Sequence, residues 1–182
     1  MKKLLSIILI ALLACAVSYA RDLEQGTVEI GGDLDLSLST TDEDAGGGTR
    51  TTDEINISGG ALYYLQQNIG AGLILDYEKS DTEGFESTMT FIGPIAAYNF
   101  SVNEDAGIKV FGGVGLAFYE DDGGADADGF AVILGGRYCY YLTDSVSLDA
   151  TLSYTSMSLE DSGADYDSDS ISLGVGLSVY IK

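Results

Sequence analysis

Apolar and polar residues alternate along most of the chain after Gly26, and this period of two constrains the fold more than any other feature. Successive side chains of a β-strand point to opposite faces, so each alternating run predicts a strand with one apolar and one polar face. No helical period appears in this part of the chain. The runs predict about eight strands, near Val28–Ser39, Ile55–Tyr63, Ile69–Glu78, Ser87–Phe100, Ile108–Phe118, Phe130–Tyr140, Val146–Tyr154 and Ile171–Ile181.

The connections between these strands alternate between short turns and longer acidic loops. Pro94 interrupts the fourth strand, and because proline has no N–H for the ladder, we expect it at a bulge or a locally unpaired position. The alternation of short and long connections is typical of β-barrels in the bacterial outer membrane. Short turns are predicted at Leu65–Asn68, Ser101–Ala106 and Leu142–Ser145, and longer loops at Thr41–Arg50, Ser80–Glu86, Glu120–Asp128 and Ser158–Asp169.

Residue size indicates which face of the predicted sheet points outward. The polar face carries mostly Gly, Ser, Ala and a few charges, and such residues fit the narrow interior of a barrel of about eight strands. Stacked Leu and Ile from the apolar face would overfill it. We therefore predict an all-β fold, an eight-stranded antiparallel up-and-down transmembrane β-barrel; a soluble barrel with its apolar face inward is the alternative. Two aromatic bands fit the membrane interfaces: Tyr77, Phe118, Phe130 and Tyr154 near the loop ends, and Tyr63, Tyr138 and Tyr140 near the turn ends.

Residues 1–20 predict a signal peptide that is cleaved from the mature protein. Two lysines precede an apolar stretch, Leu4–Val17, which is shorter than the roughly 20 residues of a membrane-spanning helix. Ser18–Ala20 offers a cleavage site, so we expect residues 21–182 to form a single β-barrel domain. Leu12–Cys15 also resembles a signal for lipid attachment to Cys15, and this alternative stays open. Either route takes the protein out of the cytoplasm.

The composition argues against nucleic-acid binding and against catalysis. The formal net charge is −21, whereas nucleic-acid binding depends on Lys and Arg side chains that meet phosphates. The chain has no histidine, which removes the commonest general base and metal ligand. We therefore expect no catalytic residue, no enzymatic activity and no cofactor. Cys139, the cysteine left after cleavage at Ala20, is expected to be an inert lumen-facing residue.

Three stretches of the chain carry a family resemblance. They are Phe91–Pro94 leading to Tyr98–Phe100, then Ile108–Gly115, and then Gly136–Tyr138 leading to Leu142–Leu148. In this order and strand phase they resemble the outer-membrane protein β-barrel domain family, the small eight-stranded group that includes the OmpA transmembrane domain and OmpX. The likeness covers essentially all of Gly26–Lys182 and implies a membrane barrel without implying one activity. Family members commonly end in an aromatic residue, whereas this chain ends Tyr180-Ile181-Lys182, so either Tyr180 substitutes or the last strand is recognised differently.

Charged residues on the polar face are expected inside the barrel. A buried charge needs a partner, and we predict a lumenal ionic network centred on Lys109 and Arg137, with Asp149 close to Arg137 across one hairpin. A structural plug is the preferred interpretation of this network, rather than a conduit or a binding site. Its predicted members are Glu29, Asp33, Asp35, Asp76, Lys109, Arg137 and Asp149, with Glu78 on the same face.

The acidic loops are the weaker candidates for binding. Clustered carboxylates can hold Ca²⁺ or Mg²⁺, and the candidate ligands are Asp126, Asp128, Asp165, Asp167 and Asp169. The last three are followed by Ser170, without the glycine and the distal Glu of an EF-hand loop. Solvated, mutually repulsive loops are therefore the preferred interpretation. Divalent cations that bridge these loops to anionic lipid head groups are the alternative.

Taken together, these features predict an outer-membrane β-barrel with a structural or surface-interaction role and a lumen plugged by side chains. A narrow channel or transporter for small molecules, hydrophobic ones included, is one alternative, and a soluble or lipid-anchored ligand-binding barrel is another. The expected location is the bacterial outer membrane. The expected partners are outer-membrane lipids, and the expected state is a monomer. The residues name no ligand and no physiological process.

Overall fold

The computed structural model describes residues 22–41, 50–82, 85–124, 126–161 and 164–182. Side chains are described for 22–34, 55–81, 86–124, 126–160 and 169–182. The predicted signal peptide, 1–20, lies outside the described residues. The strands are β1 (Val28–Thr41), β2 (Arg50–Gln66), β3 (Ile69–Thr82), β4 (Phe85–Asn103), β5 (Ala106–Asp121), β6 (Asp126–Thr143), β7 (Val146–Asp161) and β8 (Ala164–Ile181).

The eight strands form a closed barrel in which each strand pairs antiparallel with its neighbours in sequence. The last strand returns to the first, so Val28–Leu34 of β1 pair with Val175–Ile181 of β8. This confirms the predicted eight-stranded up-and-down topology. Among the described residues no helix is long and apolar enough to cross a membrane.

The turns at one end of the barrel are tighter than the sequence predicted. Two residues connect each of the hairpins β2–β3, β4–β5 and β6–β7, at Gln67-Asn68, Glu104-Asp105 and Asp144-Ser145. Asn68 has a φ of 64°, a left-handed conformation that asparagine tolerates better than most residues. We call this end of the barrel the turn end, and the opposite end the loop end.

At the loop end the prediction of long loops was wrong for three of the four connections. β3 continues to Thr82 and β4 begins at Phe85, with similarly short gaps at 122–125 and 162–163. Residues 42–49, within the first predicted loop, lie outside the described residues. Apolar alternation marks only the part of a strand that faces lipid on one side. Beyond the membrane the outward face is no longer apolar, so the hairpin ladder continues there without the outward hydrophobic signal that marks the membrane span.

The position of Pro94 is as predicted. The register of β4 on β5 passes from the pair Ile92–Leu116 to the pair Ile95–Gly113 and skips Gly93 and Pro94. The other edge of β4 is paired throughout, with Pro94 opposite Leu73. Proline therefore occupies a local break in one ladder, where its missing N–H leaves no partner unsatisfied.

The apolar face of the sheet points outward, as residue size predicted. Both predicted aromatic bands lie on this face, with Phe130 73% and Tyr138 48% exposed. The outward apolar side chains include Ile30, Leu34, Ile57, Leu73, Leu75, Ile92, Val114, Leu116, Val132, Leu134, Leu152, Leu173, Val175 and Leu177. In water such a surface would be strongly unfavourable, whereas hydrocarbon accepts it.

The lumen contains larger side chains than the prediction of mainly small residues allowed. Among the buried residues are Tyr64, Ile74, Phe91, Phe111, Ile133, Tyr141, Met157, Leu159 and Tyr180. Glycines opposite some of these residues make room for them. A Cβ placed on Gly135 would lie 2.2 Å from Cζ of Phe111, its partner across β5–β6. Large and small residues thus alternate across the lumen and fill it.

The Gly135–Phe111 contact yields a stability prediction. Gly135→Ala is expected to lower the free energy of unfolding by about 1–3 kcal/mol, because the added methyl must displace the Phe111 ring. The cost should shrink when Gly135→Ala is made in a Phe111→Leu background. The measurement is the urea midpoint of the barrel in detergent, followed by the mobility of unheated samples on a denaturing gel.

Gly136→Ala is the matched control, because the nearest atom to a Cβ at Gly136 is 4.0 Å away. Its urea midpoint should match that of the wild type. An equal loss of unfolding free energy for Gly135→Ala and Gly136→Ala would show that the Phe111 ring does not limit the size of the residue at position 135.

Candidate functional site

A buried ion pair crosses the turn half of the lumen. Lys109 of β5 contacts Glu29 of β1, and their side chains are only 1% and 2% exposed. The Tyr64 hydroxyl donates a hydrogen bond of 2.7 Å to the other oxygen of Glu29, Oε2. The Lys109 ammonium also lies 5.7 Å from the centre of the Tyr180 ring, which adds a cation–π contact.

Arg137 of β6 joins this pair to two further carboxylates. Its Nη2 lies 2.5 Å from Oδ2 of Asp33, and its Nη1 lies 3.7 Å from Oε1 of Glu29 and 3.8 Å from Oδ2 of Asp149. We call Glu29, Asp33, Lys109, Arg137 and Asp149 the lumenal plug. Two cationic and three acidic side chains give it a formal charge of minus one, spread over β1, β5, β6 and β7.

Hydroxyl groups from neighbouring strands bond to the carboxylates of the lumenal plug. Ser147 and Ser178 donate to Asp149, at 2.7 and 2.5 Å, and Thr151 donates to Asp33 at 3.0 Å. Thr151 also accepts a bond of 3.0 Å from Nε of Arg137. Removing charge from water costs several kcal/mol unless its hydrogen-bonding capacity is met. These hydroxyls meet much of it.

Strand register explains how residues distant in sequence meet. Lys109 is paired directly with Arg137 across β5–β6, and Cys139, two residues further, is paired with Asp149 across β6–β7. Glu29 is paired with Tyr180 across β1–β8. Alternate residues of a strand share one face, so these polar side chains all point into the lumen. The register of the four strands places them at about the same level.

The chain before β1 closes the turn end of the barrel. Leu23 is 3% exposed, and its backbone bonds twice to Asn68, through Leu23 N to Oδ1 at 2.9 Å and Leu23 O to N at 2.8 Å. The Asp22 carboxylate accepts bonds from the side chains of Asn68, Gln67 and Ser101. These bonds lower the pKa of Asp22 below its ordinary value, and the bond from Asn68 has the largest effect. We call residues 22–27 the latch.

A small cavity lies beside the lumenal plug, toward β2 and β3. Its volume is about 40 Å³, and it is bordered by Glu29, Arg137, Ser58, Leu62 and Ile74. A cavity of this size with polar walls holds about one or two water molecules and excludes larger solutes.

Asp35 and Asp76 were also predicted in the network, with Glu78 on the same face. Asp76 and Glu78 are half-buried on β3, with Asp76 in register with Ser58 of β2 and Phe91 of β4. Asp35 belongs to β1, and its side chain lies outside those described. The ion pairs around Lys109 and Arg137 thus join Glu29, Asp33 and Asp149.

The candidate metal ligands were predicted on loops, but all five lie on strands. Asp126 and Asp128 are exposed on β6, and Asp169 is exposed on β8, where it accepts a 2.7 Å bond from the Tyr154 hydroxyl. Asp165 and Asp167 belong to β8, and their side chains lie outside those described. Within the described part of the chain, no group of three or more acidic or cysteine residues is arranged to hold a metal ion.

Sequence reasoning missed the neutral half of the site. Tyr64, Ser147, Thr151 and Ser178 each alternate with outward apolar residues of their own strand, so the alternation assigns them to the lumenal face but not to a role there. Which of them touches a carboxylate depends on strand stagger, which alternation does not give. Residues of the latch do not alternate as strand residues do, so no sequence pattern predicted their contacts. Cys139 is fully buried in the lumen beside the lumenal plug.

The lumenal plug yields a second stability prediction. Arg137→Ala is expected to lower the free energy of unfolding by about 3–5 kcal/mol, because it leaves Asp33 and Asp149 buried without their cation. The measurement is the urea midpoint in detergent.

Lys79→Ala is the control for loss of an ion pair as such. Lys79 lies 2.7 Å from Glu86, but the two side chains are 40% and 47% exposed, so the expected cost is about 0–1 kcal/mol. A loss for Arg137→Ala no greater than that for Lys79→Ala would mean that Arg137 does not hold the lumenal plug together.

Known structures share this architecture. Neisserial surface protein A is similar over 87% of this chain and 98% of that chain, with 18% sequence identity and a TM-score of 0.57. The outer membrane protein OprG from Pseudomonas aeruginosa is similar over 87% of this chain and 97% of that chain, with 13% identity and a TM-score of 0.53. At such identities the likeness shows the fold alone. No curated protein sequence matches the chain.

A family model describes the same architecture and matches nearly the whole sequence. It is that of the outer membrane protein beta-barrel domain, and the match covers residues 7–178. The closed barrel with its outward apolar face agrees with it. The chain therefore belongs to the outer membrane protein beta-barrel domain family.

Proposed function

We propose that this barrel is a non-conducting protein of the bacterial outer membrane with a structural or surface-interaction role. The observation that carries the proposal is the lumenal plug, in which five charged side chains fill the turn half of the lumen. A pore needs a continuous water-filled path. Three features narrow that path: the lumenal plug, the buried side chains of Tyr64, Tyr141 and Tyr180, and the latch.

The surfaces of the barrel support the same role. The outward belt of Leu, Ile, Val and aromatic residues suits contact with lipid acyl chains, so we infer that outer-membrane lipids are the direct partners of the wall. At the loop end the hairpins extend beyond the aromatic band and present acidic residues, including Glu120, Asp126 and Asp128. Any partner outside the membrane would first meet these hairpins. A monomer is sufficient for this arrangement, because the barrel closes within one chain.

Conductance in planar bilayers tests the proposal. The wild-type barrel is expected to give no steady open current. The double variant Glu29→Ala/Lys109→Ala removes one carboxylate and one ammonium without changing the net charge of the plug, and it should give a larger current than the wild type. Leu152→Ala, on the outward face, should behave as the wild type.

Steady, reproducible opening of the wild-type protein would contradict the proposal and favour the narrow channel or transporter. If the double variant fails to give a heat-modifiable barrel, the wild-type result still decides between the two roles.

We also propose that the mature chain begins at Arg21, after removal of residues 1–20. The latch supports this, because the chain is hydrogen-bonded to the barrel from Asp22 onward. Mass spectrometry of the protein recovered from outer membranes should therefore give the mass of residues 21–182. A mass that starts at Cys15 and includes acyl chains would replace this proposal with lipid anchoring.

A further inference from the structure

The lumenal plug contains one more carboxyl group than it has cations. Lys109 contacts Glu29, and Nη2 of Arg137 lies 2.5 Å from Oδ2 of Asp33. These two pairs use both cations and leave Asp149 without one of its own. A buried carboxylate without a counter-ion has a large free-energy cost, and such a group lowers this cost by taking up a proton.

Asp149 is also the carboxyl group of the plug that lies farthest from a cation. Its Oδ2 is 3.8 Å from Nη1 of Arg137, which is beyond hydrogen-bond distance, whereas Asp33 is bonded to Arg137 directly. The Asp149 side chain is 0% exposed, against 2% for Glu29 and 3% for Asp33. Deep burial and distance from the cations both favour its neutral form.

The hydrogen-bond partners of Asp149 can accommodate a proton. Within the described part of the chain they are two serine hydroxyls, with Ser147 at 2.7 Å from Oδ1 and Ser178 at 2.5 Å from Oδ2. A hydroxyl group can either donate or accept. A proton on Oδ2 is donated to Ser178, whose own hydrogen then turns to Oε1 of Glu29 at 3.4 Å. Each of these oxygens keeps a partner, and no heavy atom has to move.

This position suits a proton better than a metal ion. Serine hydroxyls occupy both oxygens of Asp149. The small cavity beside the plug is lined by β1 to β4 and by Arg137, so it does not open onto Asp149 of β7. Among the residues that the structure describes, no three acidic or cysteine side chains are placed to hold a metal ion together.

Other titratable side chains share this half of the lumen with the plug. Cys139 is paired with Asp149 across β6–β7, and the Tyr180 hydroxyl lies 3.1 Å from Oγ of Ser147. Thiols and phenols ordinarily release their protons at about pH 8.5 and about pH 10. The chain has no histidine, the side chain that ordinarily titrates near neutral pH. The buried groups of this kind are Tyr64 of β2, Cys139 and Tyr141 of β6, and Tyr180 of β8.

We propose that the lumenal plug binds one proton, held on Asp149 and shared with Ser178, and that this proton makes the plug electrically neutral. Raising the pH removes the proton and leaves a buried carboxylate without a counter-ion. The turn half of the lumen then loses stability. The plug is thus a pH-sensitive element of the barrel. This proposal concerns the charge of the plug and does not depend on whether the barrel conducts.

The dependence of stability on pH tests the proposal. In the unfolded chain an aspartic acid loses its proton at about pH 3.9. Unfolding between about pH 5 and about pH 8 should therefore release one proton from Asp149, and stability should fall as the pH rises. The equilibrium constant of unfolding is expected to increase about tenfold per pH unit. The measurement is urea-induced unfolding of the whole barrel in detergent at a series of pH values.

Asp149→Asn separates this proton from the other titratable groups. The amide has the shape of the neutral acid, donates to Ser178, accepts from Ser147 and does not ionise. Its unfolding constant should stay constant between about pH 5 and about pH 8, so the variant should become increasingly more stable than the wild type as the pH rises. Asp126→Asn is the matched control, because Asp126 is exposed on β6, and it should keep the wild-type dependence on pH.

Infrared spectroscopy observes the proton directly. At neutral pH the wild-type barrel should show a C=O stretching band of a protonated carboxyl group that Asp149→Asn lacks and Asp126→Asn retains. Persistence of every such band in Asp149→Asn would overturn the proposal.

Three results of the unfolding experiment would also overturn it. One is a wild-type unfolding constant that does not change between about pH 5 and about pH 8. Another is the same dependence on pH in Asp149→Asn, because a different group would then bind the proton. The third is failure of Asp149→Asn to form a heat-modifiable barrel at neutral pH, because a neutral amide would then be unable to replace Asp149.

Discussion

Hydrocarbon contains no hydrogen-bond donors or acceptors, and every other feature of this barrel follows from how its backbone meets that constraint. Each strand satisfies its N–H and C=O groups through two neighbours, which requires the sheet to close on itself. Closure fixes an inside and an outside. Side chains that alternate along the strands then separate into an apolar wall and a lumen that holds charged, aromatic and apolar side chains together.

A closed sheet of eight strands leaves a lumen so narrow that its contents must fit one another. Charges placed there have little water, and they remain ionised only if cations, carboxylates and hydroxyls are arranged together. Lys109 and Arg137 provide the cations, and residues of four strands provide their partners. Glycines give the larger side chains room, as Gly135 does for Phe111. Packing and electrostatics therefore both fill the turn half of the lumen.

The two ends of the barrel differ because the constraint acts on them differently. At the turn end, hairpins of two residues and the latch close the structure with backbone and side-chain hydrogen bonds. At the loop end, strands run on beyond the aromatic band, where the outward face is no longer apolar. The last closure, between β1 and β8, is the shortest pairing in the described barrel. Closure of the sheet is thus firm at one end and weakest at the other.

The alternation by itself determined the number of strands and the residues that share each face, because side-chain direction in a strand has a period of two. The short turns and loops between the strands indicated the antiparallel topology. Residue size indicated which face points outward, and this placed Lys109, Arg137, Glu29, Asp33 and Asp149 in the lumen. The sequence did not show where strands end in water, since no outward apolar face marks them there, and so Asp126 and Asp165 were placed on loops. Only the tertiary structure decided which residues touch. Stagger between strands brings Arg137 to Asp33 and Tyr64 to Glu29. Stagger arises from closure of the whole sheet, and no local pattern records it.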